Sequence, residues 1–300
     1  MRYLAYLLFL IFLYPLAFLP LWLQYKAAKV LKFVLAVIMR YRRKIIYQNL
    51  RRAFPVKSEE EIKQISNDYY EHLCNLFAES FNSFSIKKKD LLQRVTLKNL
   101  DLIERLYSEK KNITVLMGHT GNWEWAGLAA SSLVPYTCYA VYHALEQPYF
   151  DSFLIKSRTR FGLHLLSSKK VRNFFRLNAQ ELFLNAFIAD QTPSNPKSAY
   201  WVNFLGTPTP FFTGAEKFAR QLETAVIYVD TQSVSKGKYE IELILISENG
   251  SEEPEGYITA KYVSLLEQSI IKNPASWLWS HRRWKHKLPQ GKELIRQVYS

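Results

Sequence analysis

Between Met117 and Glu124 the chain reads Met-Gly-His-Thr-Gly-Asn-Trp-Glu, which sets a histidine and a carboxylate five positions apart. A neutral imidazole has an ordinary pKa of ~6.5 and takes up a proton near neutral pH. The chemistry this suits is general-base activation of a hydroxyl. A carboxylate on the second ring nitrogen would hold one tautomer and stabilise the imidazolium that forms, as the aspartate of a hydrolase triad does. His119 is therefore the candidate base and Glu124 its candidate partner. Taken alone, the pair also fits a structural histidine in a turn, with Glu124 favourable at a helix N-terminus. A zinc site of the His-Glu-x-x-His type is excluded here, because it needs two histidines on one helical face. No metal is expected.

The surrounding residues say what must carry the pair. Ile113-Thr114-Val115-Leu116-Met117 is a short, β-branched apolar run and predicts a strand. Trp125 to Ala130 suits a buried helix, and Gly118 and Gly121 allow a sharp turn between the two. His119 would then stand at the C-terminal end of a strand, where open α/β sheets place their ligands. The arrangement recurs. Thr137–Tyr142 predicts a strand ending at His143, and Phe183–Ala189 a strand ending at Asp190-Gln191. Thr224–Asp230 and Tyr239–Ile246 predict two more, and Val95–Leu97 a short one.

Helices are expected from Ser58 to about Ser83, over Leu100–Tyr107, Pro148–Arg160 and Ile258–Lys272, and from Thr213 onward. Ser58 with Glu61 and Thr213 with Glu216 have capping-box spacing. Lys87 to Asp90 is expected to be a solvated turn. The fold expected is α/β, a mixed central sheet flanked by helices over residues 57–300, with an N-terminal membrane-anchoring helix.

That helix is expected within residues 1–25, because Tyr3 to Leu23 carries no charged side chain and would span roughly 30 Å, about one hydrocarbon core. Residues 26–56 predict a basic amphipathic helix. Lys26, Lys29, Lys32, Arg40, Arg43, Lys44 and Arg51 fall within about a third of the helical wheel. Such a helix could lie on an anionic leaflet, and the positive flank predicts a cytoplasmic body.

Lys and Arg total 40 against 26 Asp and Glu, a formal charge of +14 that favours acidic partners. No nucleic-acid motif accompanies the charge, so nucleic acid is not among the expected partners. Cys74 and Cys138 form no disulfide framework. Trp277 to Lys287 interleaves aromatic and basic residues, which suits an interfacial surface, an RNA-binding stretch or plain packing with snorkelling cations.

Gly118-His119-Thr120-Gly121-Asn122-Trp123-Glu124 resembles the signature of the late acyltransferases of bacterial lipid A biosynthesis, in the lysophospholipid acyltransferase superfamily. Asn49-Leu50-Arg51-Arg52-Ala53-Phe54-Pro55 is similar to that family's segment after its anchor. Tyr142-His143 to Asp151 with Arg158–Gly162, then Ala189-Asp190-Gln191 with Phe204-Leu205-Gly206 and Thr213-Gly214, and finally Trp277–Lys285, resemble its later blocks in family order.

The resemblance implies a membrane acyltransferase that moves a fatty chain from an acyl carrier protein thioester to a hydroxyl of a lipid A precursor. It implies no cofactor beyond that donor, no covalent acyl-enzyme, and a place at the inner membrane with the body on the cytoplasmic side. His119 would be the base and Glu124 its partner, with backbone N–H groups near Gly121 for the oxyanion. Arg160, Arg158, Asp190 and Asn122 would contact substrate, Arg160 first among them. The resemblance also turns the Trp277–Lys287 segment toward a membrane-facing or substrate-facing edge. Another lipid acceptor, or a membrane-tethered binding protein without catalysis, are the competing readings.

Overall fold

The computed structural model describes residues 6, 11, 14–168, 171–177 and 181–298. After a 3-10 turn at Tyr14–Phe18, the chain forms α1 (Leu21–Phe33), a π-helical turn at Val34–Ile38, α2 (Arg43–Ala53), α3 (Glu59–Asn82) and α4 (Lys88–Leu92). β1 (Val95–Lys98), α5 (Leu100–Ser108), β2 (Ile113–Met117), α6 (Trp123–Leu133), β3 (Thr137–Tyr142), α7 (Pro148–Arg158), β4 (His164–Ser167), α8 (Val171–Leu177) and β5 (Phe183–Ile188) follow. The chain continues with β6 (Tyr200–Phe204), β7 (Thr207–Phe211), α9 (Gly214–Gln221), β8 (Ala225–Ser235), β9 (Lys238–Ser247) and α10 (Tyr257–Lys272).

Seven strands form one sheet in the order β1-β9-β8-β2-β5-β3-β4. All neighbours are parallel except the β8–β9 hairpin, so the sheet is mixed, as expected. β2 lies at its centre with all five residues buried. Its side chains alternate between two faces. Ile113, Val115 and Met117 join a core with Ile103, Leu106, Trp125 and Leu128 of α5 and α6. Leu116 joins the opposite core with Tyr262 and Leu266 of α10 and Tyr69 and Leu73 of α3. A continuous apolar run is what a strand covered on both faces requires.

α3 starts where the capping box predicts: Glu61 N–H donates to Ser58 Oγ at 3.2 Å and Ser58 N–H to Glu61 Oε2 at 2.8 Å. The other predicted cap does not form. Thr213 makes no side-chain cap, and Glu216 instead accepts from Gly256 N–H, Thr259 N–H and Thr259 Oγ at 2.5, 2.9 and 2.6 Å. It thereby satisfies free N–H groups at the start of α10, a distant helix. The Lys87–Asp90 joint is the first part of α4 rather than a turn. β4 and the two-stranded β6–β7 hairpin were not expected. The hairpin turns through Leu205 and Gly206, both at positive φ (49° and 74°), as a two-residue turn demands.

The N-terminal expectations need correction. Most of the residues before Tyr14 lie outside those described, and no helix among the described residues is long and apolar enough to cross a membrane. From Tyr14 onward the apolar run is not one helix: the 3-10 turn ends before Pro20, and Gln24 Nε2 caps it by donating to the carbonyls of Ala17 and Leu19 at 3.1 and 2.8 Å. Residues 26–56 are not one helix either. Arg40 and Arg42 take positive φ (47° and 49°) and interrupt the helix between α1 and α2. α1 lies antiparallel on α3, with Tyr25 meeting Glu79 and Lys32 meeting Glu71. Its outer side leaves Trp22, Val30, Phe33, Val37, Ile38 and Met39 exposed, bordered by exposed Lys26, Lys29 and Arg40.

Candidate active site

The site follows from strand register. β2 and β5 are parallel neighbours with Met117 opposite Ile188. Two residues past each lie His119 and Asp190, so the register delivers them side by side. His119 Nδ1 is 2.5 Å from Asp190 Oδ1, and the His119 backbone N–H donates to Asp190 Oδ2 at 2.8 Å. The Trp277 indole N–H donates to the same Oδ2 at 2.8 Å. Asp190 is fully buried. Burial would raise its pKa, but the charge of His119, hydrogen bonds from its ring and backbone, and the Trp277 indole together hold the carboxyl down to about 2. An ionised Asp190 requires a proton on Nδ1, which leaves the Nε2 lone pair free for chemistry. The Gln191 amide nitrogen lies 3.3 Å from Nε2, and the Trp123 ring stands edge-on to the imidazole at 4.9 Å.

Sequence spacing assigns Asp190's place to Glu124, and the structure corrects this. Glu124 accepts from Arg158 Nε at 2.8 Å and from a second guanidinium nitrogen, a two-pronged pairing. The reason is geometric. Glu124 sits in the first turn of α6 and faces the end of α7, whereas the acid on Nδ1 comes from the neighbouring strand.

The other expected contacts also move. Asn122 is fully buried: its Oδ1 caps α6 by accepting from Trp125 N–H at 2.9 Å, and its Nδ2 donates to Glu79 at 2.7 Å. It therefore positions the helix instead of meeting substrate. Arg160 donates to the Ser83 carbonyl and lies over Phe161 at 5.1 Å, outside the lining of the cavity described below. Of the two arginines, Arg158 is the one that lines the cavity described below. Of the backbone N–H groups near Gly121 expected for the oxyanion, that of Gly121 itself donates to the Ser276 carbonyl at 3.2 Å.

Of the two glycines of the turn, Gly121 is required by its backbone neighbour, whereas Gly118 faces only the end of a side chain. A Cβ on Gly121 (φ +55°) would meet the Thr231 carbonyl at 2.5 Å, and one on Gly118 would meet Leu266 at 2.5 Å.

The Trp277–Lys287 segment, read as an outward edge, begins as an interior clamp. Trp277, Trp279 and Arg283 are buried. Asn49 Nδ2 donates to the carbonyls of Trp279 and His281 at 2.8 Å each. Arg283 donates to the Pro210 carbonyl and lies over Phe211 at 4.3 Å.

His119, Trp123, Glu124, Arg158 and Gln191 border a cavity of about 620 Å³, within the range of small-molecule sites, roughly 300–1,000 Å³. Much of the remaining wall is apolar, with Met117, Ala126, Gly127, Ala130, Cys138, Leu163 and Leu184 lining it, and His143, Ser168, Lys217 and Gln221 add polar groups to it. The small residues on one face of α6 leave the room. The arrangement is an imidazole with an oriented lone pair beside a space suited to a hydrocarbon chain.

A signal for Asp190 was present in the sequence, since a polar residue ends each of two apolar strand runs. Glu79 also had one: it falls on the same helical stripe as Tyr69, Leu73 and Leu76.

Comparison with curated proteins returned no match. The model of the family described as "Bacterial lipid A biosynthesis acyltransferase" matches residues 1–286, nearly the whole chain, and the protein belongs to that family and is an acyltransferase.

Proposed function

We propose that the protein transfers a fatty acyl chain from an acyl carrier protein thioester to a hydroxyl of a lipid A precursor, with His119 as general base and Asp190 as the carboxylate that orients it. The observation that carries this reading is the His119–Asp190 pair at the wall of an apolar cavity. His119 Nε2 takes the proton of the acceptor hydroxyl while that oxygen attacks the thioester carbonyl carbon. Asp190 stabilises the imidazolium. The tetrahedral oxyanion needs a donor, and the Gln191 amide beside Nε2 is the nearest side-chain donor to that nitrogen. As the C–S bond breaks, the imidazolium returns its proton to the departing thiolate. No covalent acyl-enzyme is needed.

The acyl chain occupies the apolar part of the cavity. Arg158, already held by Glu124, keeps guanidinium donors for an anionic group of substrate at the border. The exposed apolar face of α1 and its continuation, with basic residues alongside, rests on an anionic leaflet on the cytoplasmic side. The excess positive charge of the chain fits both an acidic carrier protein and phosphorylated lipid.

His119→Ala is expected to abolish transfer in a purified assay read by mass spectrometry of the lipid product, with the circular dichroism spectrum and vesicle binding unchanged. Transfer that survives this substitution removes His119 from the role. A product acylated on an amino-acid lipid or lysophospholipid, with lipid A precursor left untouched, would overturn the acceptor.

A further inference from the structure

Glu79 stands outside the mechanism just described, yet it is one of the most enclosed acids in the molecule. It is 1% exposed, on the buried stripe of α3. Three side chains from three different elements donate to it: Tyr25 of α1 to Oε1 at 2.6 Å, Asn122 to Oε2 at 2.7 Å, and Tyr239 of β9 to Oε2 at 2.6 Å. The backbone joins in, since the Trp125 indole N–H donates to the Glu79 carbonyl and to Ser83 Oγ, each at 3.1 Å. Asn122 is fully committed, its amide to Glu79 and its carbonyl to the first turn of α6. The His119 turn is thus gripped on one side by Asp190 and Trp277 and on the other by Glu79.

We infer that Glu79 is a positioning residue for the acyl transfer, and that through Tyr25 it ties the placement of the His119 turn to the seating of α1, the helix that carries the exposed apolar face. The inference rests on the reading of His119 as the base. The physical case is one of matched donors and acceptors. A carboxylate accepts from all three side chains at once. A glutamine there turns its N–H₂ either toward Tyr25, which reverses the link to α1, or toward Asn122 and Tyr239. The two phenols can rotate and accept instead, but Asn122 cannot. If its amide flips to accept from that glutamine, it loses the cap on Trp125 N–H and loosens the start of α6, next to the catalytic turn.

That asymmetry gives a test with a built-in rescue. Glu79→Gln should lower kcat by about ten- to a hundredfold with KM for the acyl donor little changed, because a reacting group displaced by about 1 Å costs that much. Tyr25→Phe keeps the ring under Lys236 (4.4 Å) and removes only the hydroxyl that links α1 to Glu79. It should lower kcat by about three- to tenfold, again without a KM change, a smaller displacement than the first. The double variant Glu79→Gln/Asn122→Asp moves the carboxylate to the other end of the same contact. The aspartate so introduced can accept both from the new glutamine and from Trp125 N–H. In that variant kcat should return to within about threefold of wild type, the non-additivity expected of coupled neighbours.

Wild-type kcat in Glu79→Gln would overturn the inference. So would a double variant as slow as Glu79→Gln alone, which would mark a merely structural acid. Should Glu79→Gln fail to fold, Tyr25→Phe and the double variant still decide the matter. His119→Ala run in the same assay keeps the two readings apart: activity surviving it defeats the base assignment, whereas its loss alongside an unimpaired Glu79→Gln defeats only this one.

Discussion

Two buried carboxylates flank the same turn and behave in opposite ways. Asp190 and Glu79 are 2% and 1% exposed, and each accepts three hydrogen bonds. Asp190 faces a titratable imidazole, and its pKa is held down to about 2 despite burial. Glu79 faces two phenols and an amide, all neutral. Burial dominates, those hydrogen bonds only partly offset it, and its pKa is raised. The same enclosure thus leaves one acid with a lowered pKa and the other with a raised one. The partners differ: His119 adds charge to its hydrogen bonds at Asp190, whereas at Glu79 burial outweighs the hydrogen bonds and the charge of Arg94. In the proposed mechanism one acid polarises the base and the other sets where it stands.

The sharpest way to break this contrast is Asp190→Asn. It keeps the volume and removes the charge, so the preferred tautomer of His119 and the stabilisation of its imidazolium are both lost. We expect kcat to fall by about a thousandfold or more, as when the orienting acid of a triad is neutralised, against the smaller loss for Glu79→Gln. Equal losses would mean that both acids only hold the fold. A third acid calibrates the scale. Glu124 is partly exposed and serves to hold Arg158, so Glu124→Gln should reduce kcat/KM by about tenfold, expressed mainly in KM, as loss of a ground-state contact does. A drop in kcat as large as that of Asp190→Asn would return Glu124 to the role the sequence suggested.

The smallest effect is in pH-dependent stability, where the two acids have opposite signs. Asp190 lies below its ordinary value of 3.8, so its contribution is complete above pH 3.8 and is lost as pH falls toward about 2. Glu79 lies above its ordinary 4.5, so its contribution is complete below pH 4.5 and is lost as pH rises through its raised value. Wild type should therefore gain stability over Glu79→Gln as pH is lowered toward 4.5. It should lose its advantage over Asp190→Asn below 3.8. His72 and His281, both partly buried and each pushed down to about 4 chiefly by desolvation, add a shared loss of stability as pH falls from 6.5 toward 4. Differences between variants cancel that background. Melting temperatures of the three proteins across this range provide the measurement, and parallel curves would erase the contrast.

The elements around the site were legible because their signals are local. β2, β3, β5 and α6 follow from apolar runs bounded by Gly, Pro and polar residues, and α3 from its capping box. The missed elements lacked such signals. β4 has only four residues, and β7 reads Thr-Pro-Thr-Pro-Phe, two prolines that argue against a strand except in a short hairpin such as this one. The continuous helix over 26–56 failed because nothing in the periodicity marks Arg40 and Arg42, whose positive φ is imposed by packing: Tyr70 donates to the Tyr41 carbonyl and Arg42 to the Ser280 carbonyl.

What the sequence alone determined is the setting of His119: a histidine at the end of a buried strand, in a Gly-containing turn, before a helix with small residues on one face. Which acid the histidine meets was decided only in three dimensions. Glu124 is near in sequence, but proximity along a chain does not set the direction of a side chain. Asp190 is 71 residues away, and parallel pairing of β2 with β5 at one register brings it to Nδ1. Glu79 reached Asn122 in the same way, by packing α3 beneath the turn. Those contacts depend on register and layer order, which no local spacing encodes.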